Sequence, residues 1–452
     1  MIDFEEVANL GSQVEWYREC KIGFYTRLKA EVAFGTGDFL LLSKAEYTLS
    51  LQRRNKMLTL DKVFHAQTVL KSIIRETNLV RAYGIAPDCQ LYLKPENLQI
   101  TGSFKVRGSA YKIALLSDEE KKKGVIACSA GNHAQGVALA ATKNGIKSLI
   151  CLPDSAPISK VEATKGFGAE VCLVEGCYDD AYQKALELRD KEGYTFVHPF
   201  DDENVIAGQG TIALEIFNDL DNIDAIVVPI GGGGLISGVA YTAKQIRPSI
   251  KVYGVQVAGA PSMYNSVRDG KIERLDAVHT IADGIAVKQP GENTFAMVKE
   301  YVDDIALVSD DEVASAILAL IEKQKMIAEG AGAAAVAAVM FNKFPLKGKR
   351  VVSIVSGGNI DVTSLSRVID RGLLNSGRST SLLIELIDKP GQLKEISRII
   401  ADCGGNVTGV HYEKGNTESV NGCFLRIEME TRDFAHVNLI TQSLRKEGFK
   451  IV

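Results

Sequence analysis

The sequence predicts an α/β protein with two open, mostly parallel sheets, followed by a small C-terminal unit of ferredoxin-like βαββαβ order. Between residues 90 and 360, short apolar runs alternate with amphipathic helical patterns, which is typical of parallel strands covered by helices on both faces. After residue 380 the pattern changes to two strand–helix–strand halves. With 452 residues, the chain is also too long for one compact core, so more than one domain is expected.

Composition narrows the class of protein. The hydrophobic fraction is 46%, the charged fraction is 24% and the net charge is −4, so there is no basic field for nucleic acid or anionic membrane. The sequence contains no run of about 20 apolar residues, so no membrane span is predicted. The acidic start, MIDFEEVANL, lacks the features of a signal peptide. We therefore expect a cytoplasmic protein without nucleic-acid or membrane partners.

Cysteine and histidine spacing predicts no metal site. The eight cysteines are scattered without a CxxC pair, and the six histidines do not cluster with them, whereas a zinc site needs grouped ligands. Free thiols in a reducing compartment are the simpler interpretation.

The beginning of the chain has no clear hydrophobic period. We expect residues 1–56 to be an N-terminal extension of unknown role, or Met57 to be the natural start. A regular pattern begins at Met57, where Thr59 or Asp61 can cap a helix that continues to Ile73.

Seven buried strands are predicted in the α/β region. They cover residues 91–94, 124–128, 148–152, 170–174, 225–230, 251–255 and 350–355. Residues 124–201 are expected to form a smaller subdomain. Because ligands of open parallel sheets bind beyond the carboxyl ends of the strands, the motifs that follow these strands are the candidates for a functional site.

The C-terminal segment is predicted to be a separate domain, residues 380–452, that follows a linker at residues 376–379. Predicted strands cover 381–387, 407–412, 423–430 and 449–452, and predicted helices cover 392–403 and 435–447. A unit of this size can fold around its own core.

The most informative segment is SFKVRG, in which Lys105 stands between an aromatic and a small residue. A lysine among apolar neighbours can lose its proton near neutral pH, and the free amine attacks a carbonyl carbon. This is the chemistry of a Schiff base with pyridoxal phosphate. Most lysines are solvated surface charges, so the interpretation depends on three partners: a phosphate site, a loop for the ring and a group at the pyridine nitrogen.

Four consecutive glycines are the candidate phosphate site. They follow the strand at 225–230 and precede a helical pattern: Gly231, Gly232, Gly233 and Gly234. Without Cβ atoms, successive backbone amides can converge on an anion that the helix dipole also attracts. A flexible linker would be polar on both sides, whereas this run lies between a buried strand and a helix. It matches neither a Walker A loop nor a dinucleotide-binding GxGxxG motif.

A second loop, SAGNHAQG, follows the strand at 124–128 and opens a helix. Its small residues leave backbone amides open to a carboxylate, and Asn132 offers a donor and an acceptor to a ring hydroxyl. Taken alone, an ordinary turn capped by Asn132 explains the segment as well, and His133 receives no catalytic role.

The last strand is followed by SGGN, which begins at Ser356. A hydroxyl at this strand end can bond a pyridine nitrogen and leave it largely neutral, whereas a carboxylate would keep it protonated. A neutral ring suits β-elimination better than transamination.

Together and in this order, the motifs resemble the threonine and serine dehydratases of the fold type II pyridoxal-phosphate enzymes, the tryptophan synthase β-like class. The resemblance covers residues 58–375 and includes TIADG at 280–284. It implies a catalytic domain at residues 57–375 that binds pyridoxal 5'-phosphate. In that domain Lys105 would hold the cofactor as a Schiff base, Phe104 would pack beside the ring and Asn132 would bind its hydroxyl.

The same resemblance implies the remaining site residues. The glycine run and the Leu235 amide would bind the phosphate, and Ser356 would face the ring nitrogen. The residues implied for the substrate carboxylate are Ser129, Ala130, Gly131, Asn132 and His133. Asp283 with Gly284 and Glu329 with Gly330 would line the far side.

The implied reaction is the deamination of L-threonine to 2-oxobutanoate and ammonia, with L-serine to pyruvate as a side activity. The Lys105 amine would remove the α-proton, after which the β-hydroxyl leaves. A serine racemase shares the scaffold, but it needs an acid/base serine where this chain has Ala130 and a cation site where it has Gln256 and Ser262. Cysteine synthases are more distant. A non-catalytic amino-acid sensor is the alternative from another class.

The tail resembles an ACT regulatory domain, with DKPGQL similar to its ligand loop and GNV similar to the matching turn. The resemblance implies an allosteric site for an amino-acid or nucleotide effector at a subunit interface of a homodimer or homotetramer. The residues implied are Asp388, Pro390, Gly391, Leu393 and Asn406. Isoleucine, valine, serine and a nucleotide all stay open as effectors, as do a biosynthetic and a catabolic role.

Overall fold

The computed structural model describes residues 58–413 and 422–452. The extension expected at residues 1–56 and the alternative start at Met57 lie outside the described residues. Within the described part, the strands form three separate sheets of six, four and four strands.

The strands, in chain order, are β1 (Val80–Arg81), β2 (Gln90–Pro95), β3 (Val125–Cys128), β4 (Ser148–Pro153), β5 (Glu170–Val174), β6 (Thr195–Phe196), β7 (Ala225–Pro229), β8 (Lys251–Val257), β9 (Asp304–Val308), β10 (Arg350–Val355), β11 (Ser379–Ile387), β12 (Asn406–Glu413), β13 (Gly422–Glu430) and β14 (Lys450–Ile451).

The helices are α1 (Leu60–Leu70), α2 (Lys105–Ala114), α3 (Asp118–Lys123), α4 (Asn132–Lys143), α5 (Ile158–Gly166), α6 (Tyr178–Glu192), α7 (Glu203–Asp219), α8 (Gly234–Ile246), α9 (Ser262–Asp269), α10 (Glu292–Tyr301), α11 (Asp310–Ala319), α12 (Gly330–Met340), α13 (Val362–Asn375), α14 (Gln392–Asp402) and α15 (Phe434–Lys446). Short 3₁₀ turns lie at Glu96–Leu98 and Asp283–Ile285.

Two of the sheets are mostly or wholly parallel, as predicted. The large sheet has the order β1-β2-β10-β7-β8-β9, and β1 alone is antiparallel to its neighbour. The small sheet has the order β5-β4-β3-β6 and is parallel throughout. In the large sheet β10 lies between β2 and β7, so the last strand of this sheet in the sequence occupies a central position. The buried faces of β7 and β10 explain their continuous apolar sequences.

The predicted elements differ from the structure mainly at their ends and at the sheet edges. Thr59 caps α1 by accepting a hydrogen bond from the Lys62 amide, but the helix ends at Leu70 rather than Ile73. The strand β9 was not predicted: it is an edge strand whose apolar run, residues 305–308, is too short for its period to distinguish a strand from a helix. The two-residue strands β1 and β6 were not predicted either.

The C-terminal sheet is antiparallel and has the order β12-β13-β11-β14. With α14 and α15, this gives the predicted ferredoxin-like βαββαβ arrangement, which is ACT-like. Its own core contains Ile384 from β11, Ile400 from α14 and Ile440 from α15. The helix α13 ends at Asn375 and β11 begins at Ser379, so the predicted linker corresponds to residues 376–378.

None of the described helices combines the length and the apolar character needed to cross a membrane. Across residues 58–413 and 422–452, no three His, Cys, Asp or Glu side chains are grouped so as to hold a metal ion.

Candidate active site

A cavity of about 900 Å³ lies beyond the carboxyl ends of β3, β7 and β10. Three predicted motifs follow these strands and meet at the cavity. The motifs after β7 and β10 lie at one edge of the large sheet, and the motif after β3 comes from the small sheet. The predicted residues that line it are Phe104, Lys105, Ser129, Ala130, Gly131, Asn132, His133, Gly231, Gly232, Gly233, Gly234, Leu235, Asp283, Gly284, Glu329 and Ser356.

Lys105 is the first residue of α2 and reaches the cavity from the helix N-terminus. Its Nζ donates a hydrogen bond of 2.8 Å to the Pro199 carbonyl and lies 5.4 Å from the centre of the Phe104 ring. Burial lowers the pKa of the Lys105 amine to about 8, although the nearby Glu329 acts in the opposite direction. The unprotonated, nucleophilic fraction of this amine near neutral pH is therefore much larger than that of an exposed lysine.

Arg107 anchors the same helix two residues further on, a role that sequence reasoning missed. Its guanidinium lies 2.7 Å from Glu96 and 2.6 Å from Glu215, and Lys94 lies 2.6 Å from Glu215. Burial acts to raise the pKa of Glu215, but the two cations outweigh it and hold that pKa below its usual value. The four charges compensate one another and fix the start of α2 to β2 and α7.

The lysine segment and the serine segment are joined by backbone hydrogen bonds. The Phe104 amide donates to the Ser356 carbonyl at 3.1 Å, and the Gly358 amide donates to the Gly102 carbonyl at 2.9 Å. Ser103 forms a bridge with Gly357 between these two bonds. The relative position of Lys105 and Ser356 is therefore set by main-chain contacts.

The glycine run is a cradle that side chains would fill. A Cβ on Gly232 would lie 2.5 Å from the Phe200 ring, and one on Gly234 would lie 2.8 Å from the Phe200 carbonyl oxygen. Gly233 has φ +97°, which favours glycine, and α8 begins at Gly234. This loop fits a phosphate group, since it has no side chains and its backbone amides are the groups available to bind an anion.

Asn132 and the buried Glu329 form a pair on the opposite wall. Asn132 Nδ2 donates to Glu329 Oε1 at 2.6 Å. Burial raises the pKa of Glu329 to about 7, the Asp283 charge adds to this, and Asn132, Lys160 and Lys105 oppose it. Lys160 itself forms an ion pair of 2.6 Å with Asp283 across the cavity. Sequence reasoning singled out Asp283 and Glu329 but not Lys160.

The loop after β3 offers backbone hydrogen-bonding groups to the cavity rather than a charged side chain. Within it, the Gly131 amide donates to Ser129 Oγ at 3.2 Å. The His133 ring contacts the Val197 carbonyl oxygen at 2.8 Å, and burial together with the Lys105 charge lowers its pKa to about 3. His133 is therefore neutral, and its side chain offers no positive charge to a substrate carboxylate.

The positions that stand where a racemase would bind a cation make internal hydrogen bonds. Gln256 accepts from the Tyr264 amide at 2.8 Å, and Ser262 Oγ donates to the Val287 carbonyl at 2.7 Å. These side chains stabilise the start of α9.

The residues implied for an effector are not brought together within one chain. The loop with Asp388, Pro390 and Gly391 follows the end of β11, whereas Asn406 begins β12 and pairs with Glu430, which faces the start of β11. The two places are separated by the length of β11, roughly 26 Å. A site that contains both requires a second copy of the chain.

The fold and this cavity define a fold type II enzyme built for pyridoxal phosphate: a lysine with a lowered pKa, a glycine cradle and a hydroxyl at a strand end lie around one space. Residues 70–357 match the family of pyridoxal-phosphate dependent enzymes, and the chain belongs to that family. The prediction of the cofactor is thereby confirmed.

Individual relatives confirm the resemblance stated from the motifs. The chain is 48% identical over 398 residues to the L-threonine ammonia-lyase of Thermotoga maritima, which covers 87% of this chain and 99% of that protein. Among solved structures, the processed form of threonine deaminase isoform 2 from Solanum lycopersicum is 38% identical, with a TM-score of 0.65, 70% of this chain and 95% of that chain covered.

A maize serine racemase is also similar, at 34% identity and a TM-score of 0.66, with 70% of this chain and 98% of that chain covered. Proteins named as deaminases and as racemases therefore share this fold, and the choice between the two reactions depends on individual side chains.

Proposed function

We propose that this enzyme is an L-threonine ammonia-lyase that converts L-threonine to 2-oxobutanoate and ammonia, with L-serine to pyruvate as a side activity. The observation that carries the proposal is the Lys105 amine in the cavity, with a lowered pKa, opposite a loop that has Ala130 and no second proton-carrying group at that position. The name of the Thermotoga relative supports the same substrate.

When bound, pyridoxal phosphate forms an imine with an amine and withdraws electrons from the adjacent carbon. We assign its phosphate to the glycine run with the Leu235 amide, its ring oxygen to Asn132 and its ring nitrogen to the Ser356 hydroxyl. Phe104 limits the space beside the ring, and the backbone of residues 129–133 is the proposed partner of the substrate carboxylate.

Lys105 is the proposed base. Nζ would take the α-proton of the substrate, and its lowered pKa increases the fraction of this amine that is unprotonated near neutral pH. The hydrogen bond to the Pro199 carbonyl orients the lone pair of Nζ. The substrate then loses its β-hydroxyl as water, and the released enamine takes up one water to give the 2-oxo acid and ammonia.

Racemisation would need a group that returns a proton to the opposite face of the α-carbon. The methyl group of Ala130 cannot carry a proton, so elimination is the reaction that this set of side chains supports. A sensor without turnover is the remaining alternative, and the intact set of Lys105, glycine run and Ser356 argues against it.

One assay separates these functions. The holoenzyme is supplied with L-threonine or L-serine, and ammonia, 2-oxo acid and D-amino acid are measured together. Stoichiometric 2-oxobutanoate and ammonia support the ammonia-lyase. D-Serine in excess of pyruvate would identify a racemase, and no product from either substrate would favour the sensor.

We also propose that residues 57–375 are the catalytic domain and residues 380–452 an ACT regulatory domain in a homodimer or homotetramer. A second cavity, about 470 Å³ in volume, lies beside the proposed ligand loop and is lined in part by Lys389 and Gln392. Since the loop and Asn406 are distant within one chain, the proposed effector site lies between two copies. The effector would couple to catalysis by binding with different affinity to the more active and the less active state of the enzyme.

Removal of residues 380–452 tests this division. The shortened chain is expected to keep elimination activity and to lose every response to isoleucine, valine, AMP and ADP, which are titrated against the full chain under the same conditions. An unchanged response in the shortened chain would place the effector site elsewhere.

A further inference from the structure

Asn359, in the loop after β10, is surrounded by hydrogen-bond acceptors. Its Nδ2 lies 2.7 Å from the Thr101 carbonyl oxygen, 2.7 Å from Asn132 Oδ1 and 3.3 Å from Gln135 Oε1. An amide nitrogen is a donor only and an amide oxygen is an acceptor only. Rotation of the Asn359 amide by 180° would place its oxygen against the Thr101 backbone carbonyl oxygen, which can only accept, so the observed orientation is the stable one.

This contact determines the orientation of the neighbouring amide. Asn132 Oδ1 is occupied by Asn359, and Asn132 Nδ2 therefore points to the other side, where it donates to Glu329 Oε1 at 2.6 Å. The Asn132 nitrogen carries two hydrogens. One goes to Glu329, and the other has no partner among the described residues on this wall of the cavity.

The backbone on the far side of Asn359 leaves room for it. Gly102 has φ +69°, and a Cβ at that position would lie 2.2 Å from Asn359 Oδ1. Any other residue at position 102 would displace the Asn359 amide and also strain the turn. The glycine immediately before the SFK motif thus leaves the space that the asparagine of SGGN occupies.

We propose that Asn359 is a positioning residue: it holds Asn132 so that an N–H group, and not a C=O group, meets the ring oxygen of pyridoxal phosphate. The inference rests on the family's cofactor and on the proposed role of Asn132, and it adds a residue that does not itself touch the cofactor. An N–H donor stabilises the ionised ring oxygen, whereas a carbonyl oxygen at the same place would repel it.

The readout is the absorbance spectrum of the lysine-bound cofactor, which needs no substrate. Ionised and neutral ring oxygens absorb in the visible and in the near ultraviolet, respectively, so the ratio of the two bands across a pH titration reports the pKa of the ring oxygen. The holoenzyme is compared with Asn359→Ala and Asn359→Asp, with Asn132→Ala as the reference for a lost donor.

In Asn359→Asp, the carboxylate repels the carbonyl oxygens around it and favours the reversed orientation of Asn132. We expect the ratio of ionised to neutral cofactor to fall by about tenfold, since a hydrogen bond to a charged oxygen is replaced by a repulsive contact. In Asn359→Ala the orientation of Asn132 is no longer enforced, and we expect a smaller fall in the same direction.

Asn97→Ala is the matched control. Asn97 is buried, lies against Gly358 and donates to the Ile327 carbonyl at 2.8 Å, but it has no hydrogen bond to Asn132. This variant is expected to lower thermal stability and to leave the band ratio unchanged.

Three outcomes overturn the inference. If both Asn359 variants keep the ratio of the unmodified enzyme while Asn132→Ala changes it, Asn359 does not orient Asn132. If Asn97→Ala lowers the ratio as much as Asn359→Ala does, the effect is general loosening. If Asn132→Ala also keeps the ratio, Asn132 does not serve the ring oxygen. None of these results depends on whether the enzyme releases ammonia from threonine, which is measured separately.

Discussion

Two cations on one helix, Lys105 and Arg107, have opposite electrostatic surroundings. Arg107 is fully buried and contacts Glu96 and Glu215, and burial, which favours the neutral form, is outweighed by these carboxylates, so its pKa lies above the usual value. Lys105 has a carbonyl oxygen as its hydrogen-bond partner, and burial lowers its pKa to about 8. A buried charge that is compensated stays charged, and one that is not becomes a proton carrier near neutral pH.

The carboxylates near Arg107 and Lys105 differ in the same way as these two cations. Glu215 lies between Arg107 and Lys94 and has a lowered pKa, whereas burial raises the pKa of Glu329 at the cavity to about 7. The helix α2 and the segments around it thus hold a permanent charge cluster for structure and a titratable group for chemistry.

The largest effect is expected from removing the amine itself. Lys105→Ala should lower turnover by on the order of 10³-fold or more, because the buried amine with the lowered pKa is lost and the cavity lysine Lys160 is held in an ion pair with Asp283. The visible absorbance of the lysine-bound cofactor should disappear as well. Lys112→Ala, on the same helix and paired with Asp202, is the control and should retain both properties. Full turnover in Lys105→Ala would refute the assignment.

Arg107→Met tests the role of the cation whose charge is compensated. This substitution leaves Glu96 and Glu215 buried without the charge that compensates them, and the expected loss is about 3–5 kcal/mol in the free energy of unfolding. Denaturant titration measures it. Arg371→Met, which breaks an exposed pair with Asp311, should move the denaturation midpoint only slightly. Equal effects of the two substitutions would show that burial of the Arg107 cluster has no special importance.

A third prediction concerns pH. Only the neutral Lys105 amine attacks the cofactor aldehyde, so the rate at which the cofactor-free protein captures pyridoxal phosphate should rise with pH and level off above its pKa of about 8. Below that value the rate should fall by about tenfold for each pH unit. Stopped-flow absorbance gives the profile. A midpoint near the pKa of an exposed lysine would mean that burial does not activate this amine.

The smallest effect is expected from Glu329→Gln. Glu329 is ionised above a pH of about 7 and then raises the pKa of Lys105. Glutamine removes the charge and keeps an acceptor for Asn132, so the midpoint of the capture profile should move to lower pH, by less than about one unit. A midpoint that moves upward would reverse the electrostatic relation between the two side chains.

The sequence predicted most of the architecture because buried parallel strands have continuous apolar sequences. The strand at Arg350–Val355 and the C-terminal βαββαβ unit were predicted with ends within about two residues. The edge strand Asp304–Val308 was not, because its short apolar run has no period that distinguishes a strand from a helix. Local patterns therefore specify elements well in the core and less well at the edges.

The motifs also predicted which loops would meet at the cavity, but not the contacts between distant side chains. Asn132 and Asn359 are 227 positions apart, and Arg107 and Glu215 are 108 apart. No spacing rule links such pairs. Arg107 stood inside the SFKVRG motif, and its partners became visible only when β2 and α7 were brought beside it.

The position of β10 in the large sheet has a consequence for synthesis of the chain. Until residue 355 has emerged from the ribosome, the sheet has a gap between β2 and β7, and the backbone bonds that join Phe104 to Ser356 cannot form. A nascent chain therefore carries its reactive lysine without the framework that holds it, and pairing of such distant segments is slow. Cofactor capture by Lys105 thus marks a catalytic sheet that has been completed, and it distinguishes such molecules from chains that end before β10.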